Sequence, residues 1–141
     1  MALWFHDAVY DTRRSDNEEQ SAVLAECCLL EAGATSALNQ SVRDLILSTK
    51  THDASVHKDG PLLIDIDLSI LGSDPQRFRE YEKQIRQEYS WVPEDVFNSK
   101  RSEILERFLS RKTIYATERY QRSHEGKARR NLEGSLNQLR R

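Results

Sequence analysis

Two short stretches carry the side chains best suited to chemistry. The first is His6-Asp7, set between Leu3-Trp4-Phe5 and Ala8-Val9-Tyr10. Two polar groups inside an apolar helix must be paired, solvated at a cleft or bound to a metal. An imidazole beside a carboxylate offers nitrogen and oxygen donors that suit divalent ions such as Mn, Fe or Zn. Taken alone, the dipeptide fits a satisfied core histidine next to an N-cap aspartate better than it fits a ligand pair. The second stretch is PLLIDIDLSILG, residues 61–72, with Asp65 and Asp67. On a helix, residues two apart point about 200° from one another, so only one of the two carboxylates faces a given site. Asp67 shares the apolar face of Leu63, Ile70 and Leu71, whereas Asp65 is expected to look outward. On a strand both would project together, as in D-x-D segments that hold a metal and nucleotide phosphates. Solvated surface carboxylates are the plain alternative.

Other candidates are weaker. His52, followed by Asp53, could orient a phosphate or shuttle a proton near neutral pH. It also fits a helix C-terminal residue favoured by the macrodipole. Glu18 lies in the acidic cluster Asp11, Asp16 and Glu18 after His6-Asp7 and doubles as a capping residue. His57 and His124 sit in polar contexts that read as surface. Cys27 and Cys28 adjoin in a helix, where neighbours diverge by about 100°, so they read as unpaired structural thiols of a reducing compartment. The basic stretch Arg119–Arg141 could be a nucleic-acid patch. It lacks interleaved aromatic residues and reads better as an amphipathic helix with a charged outer face.

The elements that must position these residues are mostly helical. Residues 2–10 read as the end of a buried helix. Ser15 with Glu18 fits a capping box for a helix that runs to about Ala32, where Gly33 stops it, with Ala22, Ala25 and Leu29 inward. A further helix is expected over Ala37–Thr51, with Val42, Leu45, Ile46 and Thr49 on its inner side, closed by His52-Asp53. A loop spans 54–60. In 61–72 the alternation of Ile64, Ile66, Leu68 and Ile70 with polar residues fits a strand, while Leu63, Asp67, Ile70 and Leu71 fit a helical face; periodicity leaves both open. Asp74-Pro75 is a cap with proline at the first helical position, followed by a stripe of Phe78, Tyr81, Ile85 and Tyr89. Pro93 opens a helix whose face carries Phe97, Ile104, Leu105 and Phe108. A short element surrounds Ile114 and Tyr115. The last helix, from about Ser123, presents Ala128, Leu132, Leu136 and Leu139. The sum is an all-α chain of six or seven helices.

Composition agrees with that class. The 141 residues suit one domain, 38% of them are hydrophobic and 31% charged, and only five are glycine and three proline. Net charge is −2, so the global balance asks for neither nucleic acid nor an anionic membrane. Mean hydropathy is −0.73. No apolar run approaches the ~20 residues of a membrane span, and residues 1–11 lack the basic start of a signal peptide. A cytoplasmic location is expected by default.

The ordered set LWFHDAVYD, SDNEEQSA, THDA, LLIDIDLSILG, IRQEYSWVPEDVF, ILERFLSRKTIYATE and KARRNLEGSL resembles the predicted metal-dependent phosphohydrolases of the HD superfamily. Some of these carry a label tying them to an N-methyl-D-aspartate receptor subunit. The resemblance implies an HD-like helical bundle over residues 1–141, with a divalent metal (Mn, Fe, Co, Mg or Zn). It implies helix rather than strand for the DIDL segment. His6 and Asp7 match the family's His-Asp pair, and Asp67 matches its later aspartate. Relatives bear a further histidine upstream, so a domain shortened at its N-terminus is expected. The implied substrate is a nucleotide or other small phosphomonoester, hydrolysed with the cation polarising a phosphoryl oxygen and acidifying a water. Glu18 or His52 would manage protons. The competing expectations are a non-catalytic HD-fold protein acting through association, including a homo-oligomer, and, less favoured, a nucleic-acid-binding helical module.

Overall fold

The computed structural model describes residues 1–140. Among them are eight α-helices and one 3-10 helix, with no strand. Six of the α-helices have seven residues or more, so the all-α expectation holds. The chain forms two compact units, Met1–Asp67 and a second beginning at Leu68.

The first unit contains α1 (Ala2–Phe5), α2 (Asn17–Glu31), α3 (Ser36–Thr51) and α4 (Gly60–Asp67). Helix α2 buries Ala22, Ala25 and Leu29 as expected, and Gly33 follows it at φ 73°, the left-handed conformation that closes a helix. Its N-cap is Asp16, whose side chain makes no capping bond and instead pairs with Arg14. The Ser15–Glu18 capping box is therefore not formed. Helix α3 starts one residue earlier than expected. Thr35 caps it by accepting a hydrogen bond from the Leu38 amide at 3.3 Å. Val42, Ile46 and Thr49 are buried on its inner face, with Leu45 half-buried. Helices α2 and α3 pack along each other, and α1 and α4 pack against α3.

Two local expectations fail here. Helix α1 ends at Phe5 rather than near residue 10, and of its residues only Ala2 is buried; Trp4 is 84% exposed. One turn is too short to bury every face of an apolar segment. Asp65 does not look outward but is 0% exposed, whereas Asp67 keeps partial access. Helix α4 has two turns and packs on both α3 and α1, so more than one of its faces is covered.

The second unit holds the 3-10 helix Leu68–Gly72, α5 (Pro75–Glu88), α6 (Glu94–Leu109), α7 (Glu118–Ser123) and α8 (Glu125–Leu139). Asp74 and Pro75 open α5 as expected. The core gathers Leu71, Phe78, Leu105, Tyr115, Leu132 and Leu136. Ile104, expected on the inner face of α6, is exposed. The Tyr115 hydroxyl donates to the Leu68 carbonyl at 3.0 Å. A β-carbon at Gly72 would lie 2.7 Å from His124 Cβ and 2.9 Å from that hydroxyl oxygen, so only glycine fits. His124 is half-buried against Tyr120 and Tyr115, with ring centroids 4.7 and 5.7 Å away. No helix among the described residues is long and apolar enough to cross a membrane.

Candidate metal centre

His6 stands where α1 stops. Its backbone N–H closes the turn onto the Ala2 carbonyl at 2.9 Å, and its ring turns back over the helix. His6 Nδ1 lies 3.0 Å from the Leu3 carbonyl oxygen. A carbonyl only accepts, so Nδ1 carries the proton, and Nε2 is the nitrogen left to face the site. Nε2 is 3.2 Å from Asp67 Oδ1 and 3.2 Å from Asp7 Oδ2. Asp67, the last residue of α4, turns its other oxygen to His52, with Oδ2 3.3 Å from His52 Nε2. His52 is the residue that ends α3. Three helix ends thus bring His6, Asp7, His52 and Asp67 together within the first unit.

Electrostatics follow from this geometry. A lone pair on His6 Nε2 facing two carboxylates is repelled by both, so a positive species is favoured at that point. In the metal-free chain a proton supplies it. Hydrogen bonding to Asp67 first, and to Asp7 second, pushes His6 up to about 10 from 6.5 against the opposing effect of burial. Burial pushes Asp67 upward, but donation from His52 and His6 outweighs it and holds the carboxyl down at about 2.

Two separations within the set lie in the range that donors to one metal ion adopt. Two donors bound about 2.1 Å from one ion, at tetrahedral or octahedral angles, lie ~3.0–3.4 Å apart. The His6–Asp7 and His6–Asp67 separations of 3.2 Å fall in that interval. The Nδ1–H anchored on a carbonyl is the outer-shell arrangement that fixes the tautomer of a metal-binding histidine. Among the described residues no group of three or more His, Cys, Asp or Glu stands ready as a cation cage. The four side chains here are hydrogen-bonded to one another instead.

Glu18 is not part of this cluster. It sits in the first turn of α2 with its ion-pair partner Lys50 at 4.0 Å, while Lys50 bonds more closely to Glu19. His57, expected at the surface, is largely covered, and its Nδ1 accepts from the Asp59 amide at 3.1 Å. Asp65 is not without a partner of its own. The closeness of His52 to Asp67 was not readable from spacing, since it depends on where α3 and α4 end. No protein-family model, curated protein or solved structure matches this chain.

Proposed function

We propose that the chain is a divalent-metal-dependent phosphohydrolase acting on a nucleotide or other phosphomonoester. The observation that carries the reading is His6 Nε2, fixed by Leu3 and aimed between Asp7 and Asp67 at 3.2 Å from each. His6, Asp7 and Asp67 would hold the cation. When bound, the cation supplies Lewis-acid polarisation of the phosphoryl group and acidifies the attacking water. The chain's own residues orient the site. Leu3 sets the His6 ring, and Asp67 is kept ionised by the imidazoles beside it. The HD-like bundle belongs to this proposal, as does a cytoplasmic setting.

Addition of Mn²⁺ or Co²⁺ should raise the melting temperature of the unmodified chain, and a His6→Ala, Asp7→Ala double variant should lose that rise. Metal-dependent release of phosphate from a generic phosphomonoester should disappear with it. Absence of any metal-induced shift in the unmodified chain refutes the reading.

A second reading, a non-catalytic protein that acts through association, is favoured by apolar surface on the first unit. Val23, Leu24 and Leu30 of α2 are exposed, as is Trp4. Light scattering tests it: a purely monomeric chain at tens of micromolar removes it. The nucleic-acid reading has less support, because Arg122, Arg129 and Arg140 are each paired within the molecule, to Glu118, Glu125 and Glu106.

A further inference from the structure

We propose that His52 is itself a protein ligand of this centre, completing with His6, Asp7 and Asp67 a set of two nitrogens and two carboxylates for one first-row transition-metal ion. The inference rests on the metal-site reading above and deepens it.

Three observations carry it. His52 Nε2 lies 3.3 Å from Asp67 Oδ2, while His6 faces Oδ1, so the two imidazoles flank one carboxylate from its two oxygens. The backbone of His52 is left-handed, at φ 51° and ψ 44°, and it is the one non-glycine residue with positive φ among the described residues. That conformation is disfavoured by a β-carbon and is usually given to glycine or asparagine at a helix end. The capping hydrogen bonds are made by backbone groups and do not involve the imidazole. The N–H groups of His52 and Asp53 both reach the Ser48 carbonyl, a closure that glycine would make with less strain. A disfavoured backbone maintained by its surroundings is a mark of functional positions. Its effect here is to turn the His52 ring toward the end of α4 rather than along α3.

The donor chemistry then selects the ion. Two carboxylates balance the charge of a divalent cation, and two imidazoles favour Mn, Fe, Co or Zn over Mg²⁺ or Ca²⁺, which prefer all-oxygen shells. The site would therefore discriminate against Mg²⁺ despite its carboxylates.

The test is titration of the full metal-free chain with Co²⁺, followed by calorimetry and by the visible absorption of the bound ion. His52→Asn and His52→Gly are compared with it, since both residues tolerate the left-handed cap and should remain folded by circular dichroism. The unmodified chain should take up one Co²⁺ and resist displacement by a hundredfold excess of Mg²⁺. Both variants should bind at least tenfold more weakly, with an altered absorption band. Unchanged affinity and spectrum in the two variants would overturn the role of His52 while leaving the proposed function standing. No Co²⁺ uptake by the unmodified chain would overturn the metal site as a whole. Displacement of Co²⁺ by an equal concentration of Mg²⁺ would overturn the assignment of ion class.

Discussion

Replacing Asp67 by asparagine removes a charge while keeping the shape, so the variant approximates the wild type with that carboxyl protonated. The carboxyl lies at about 2 in the folded chain against 3.8 as a free side chain. A displacement of nearly two pH units corresponds to ~2.5 kcal/mol of stability. The side chain is 20% exposed, so solvent screening takes little from that figure. The group's value is depressed on folding, so its contribution is present above 3.8 and is lost as pH falls through about 2. Metal-free Asp67→Asn should therefore unfold with ~2.5 kcal/mol less free energy than wild type at neutral pH. The gap should narrow to under ~1 kcal/mol at about pH 2.5. Urea unfolding in the presence of a chelator, followed by far-ultraviolet circular dichroism at both pH values, measures this. Equal stabilities at neutral pH, or a gap undiminished in acid, would refute the reasoning. The raised value of His6 is the same contact seen from its partner and is not added to the total.

That partner gives its own pH signature. His6 is raised on folding, so its stabilisation is complete below 6.5 and lost as pH rises through about 10; metal-free wild type should lose melting temperature across that interval. Gly72→Ala should destabilise the second unit by ~2 kcal/mol, because the added methyl collides with His124 and Tyr115, and a calorimetric melting temperature checks it. Arg101 and Glu82 form a largely covered ion pair that Ser135 also joins at 2.7 Å. Arg101→Met should cost ~3 kcal/mol in urea unfolding, and adding Glu82→Gln should recover part of it. Thr35→Ala should cost ~1 kcal/mol by the same method, through loss of the α3 cap.

The long helices were legible in the sequence because their inner residues recur every three or four positions and their ends carry strong signals. Ala22, Ala25 and Leu29 with Gly33 defined α2, and Asp74-Pro75 fixed the start of α5. Shorter elements were not, since one or two turns give no period to read. Helix α1 was expected to be longer, and α7 was not singled out between the Ile114–Tyr115 element and the last helix. Asp65 misled for a related reason: a face computed for a lone helix ignores a second covering neighbour. Within the candidate centre, His6, Asp7 and Asp67 were singled out by type and context, and the structure brings them within hydrogen-bonding distance. His52 was noticed but not joined to them, because its direction depends on a left-handed backbone that sequence pattern does not encode. Arg129 is a similar case. It reads as a solvated charge, yet its guanidinium donates to the carbonyls of Leu109, the last residue of α6, and of Arg111 and Lys112 just after it.

Cys27 and Cys28 are both unpaired and exposed on α2. Neighbouring helical side chains leave the axis about 100° apart, so while the helix persists the two sulfurs face different directions and do not close on one another. Each molecule then has a valence of two toward its neighbours. Oxidation joins such molecules end to end, as a bifunctional monomer polymerises, and the product on a non-reducing gel is a ladder rather than a single dimer band. Changing either cysteine to serine lowers the valence to one and ends the ladder at the dimer.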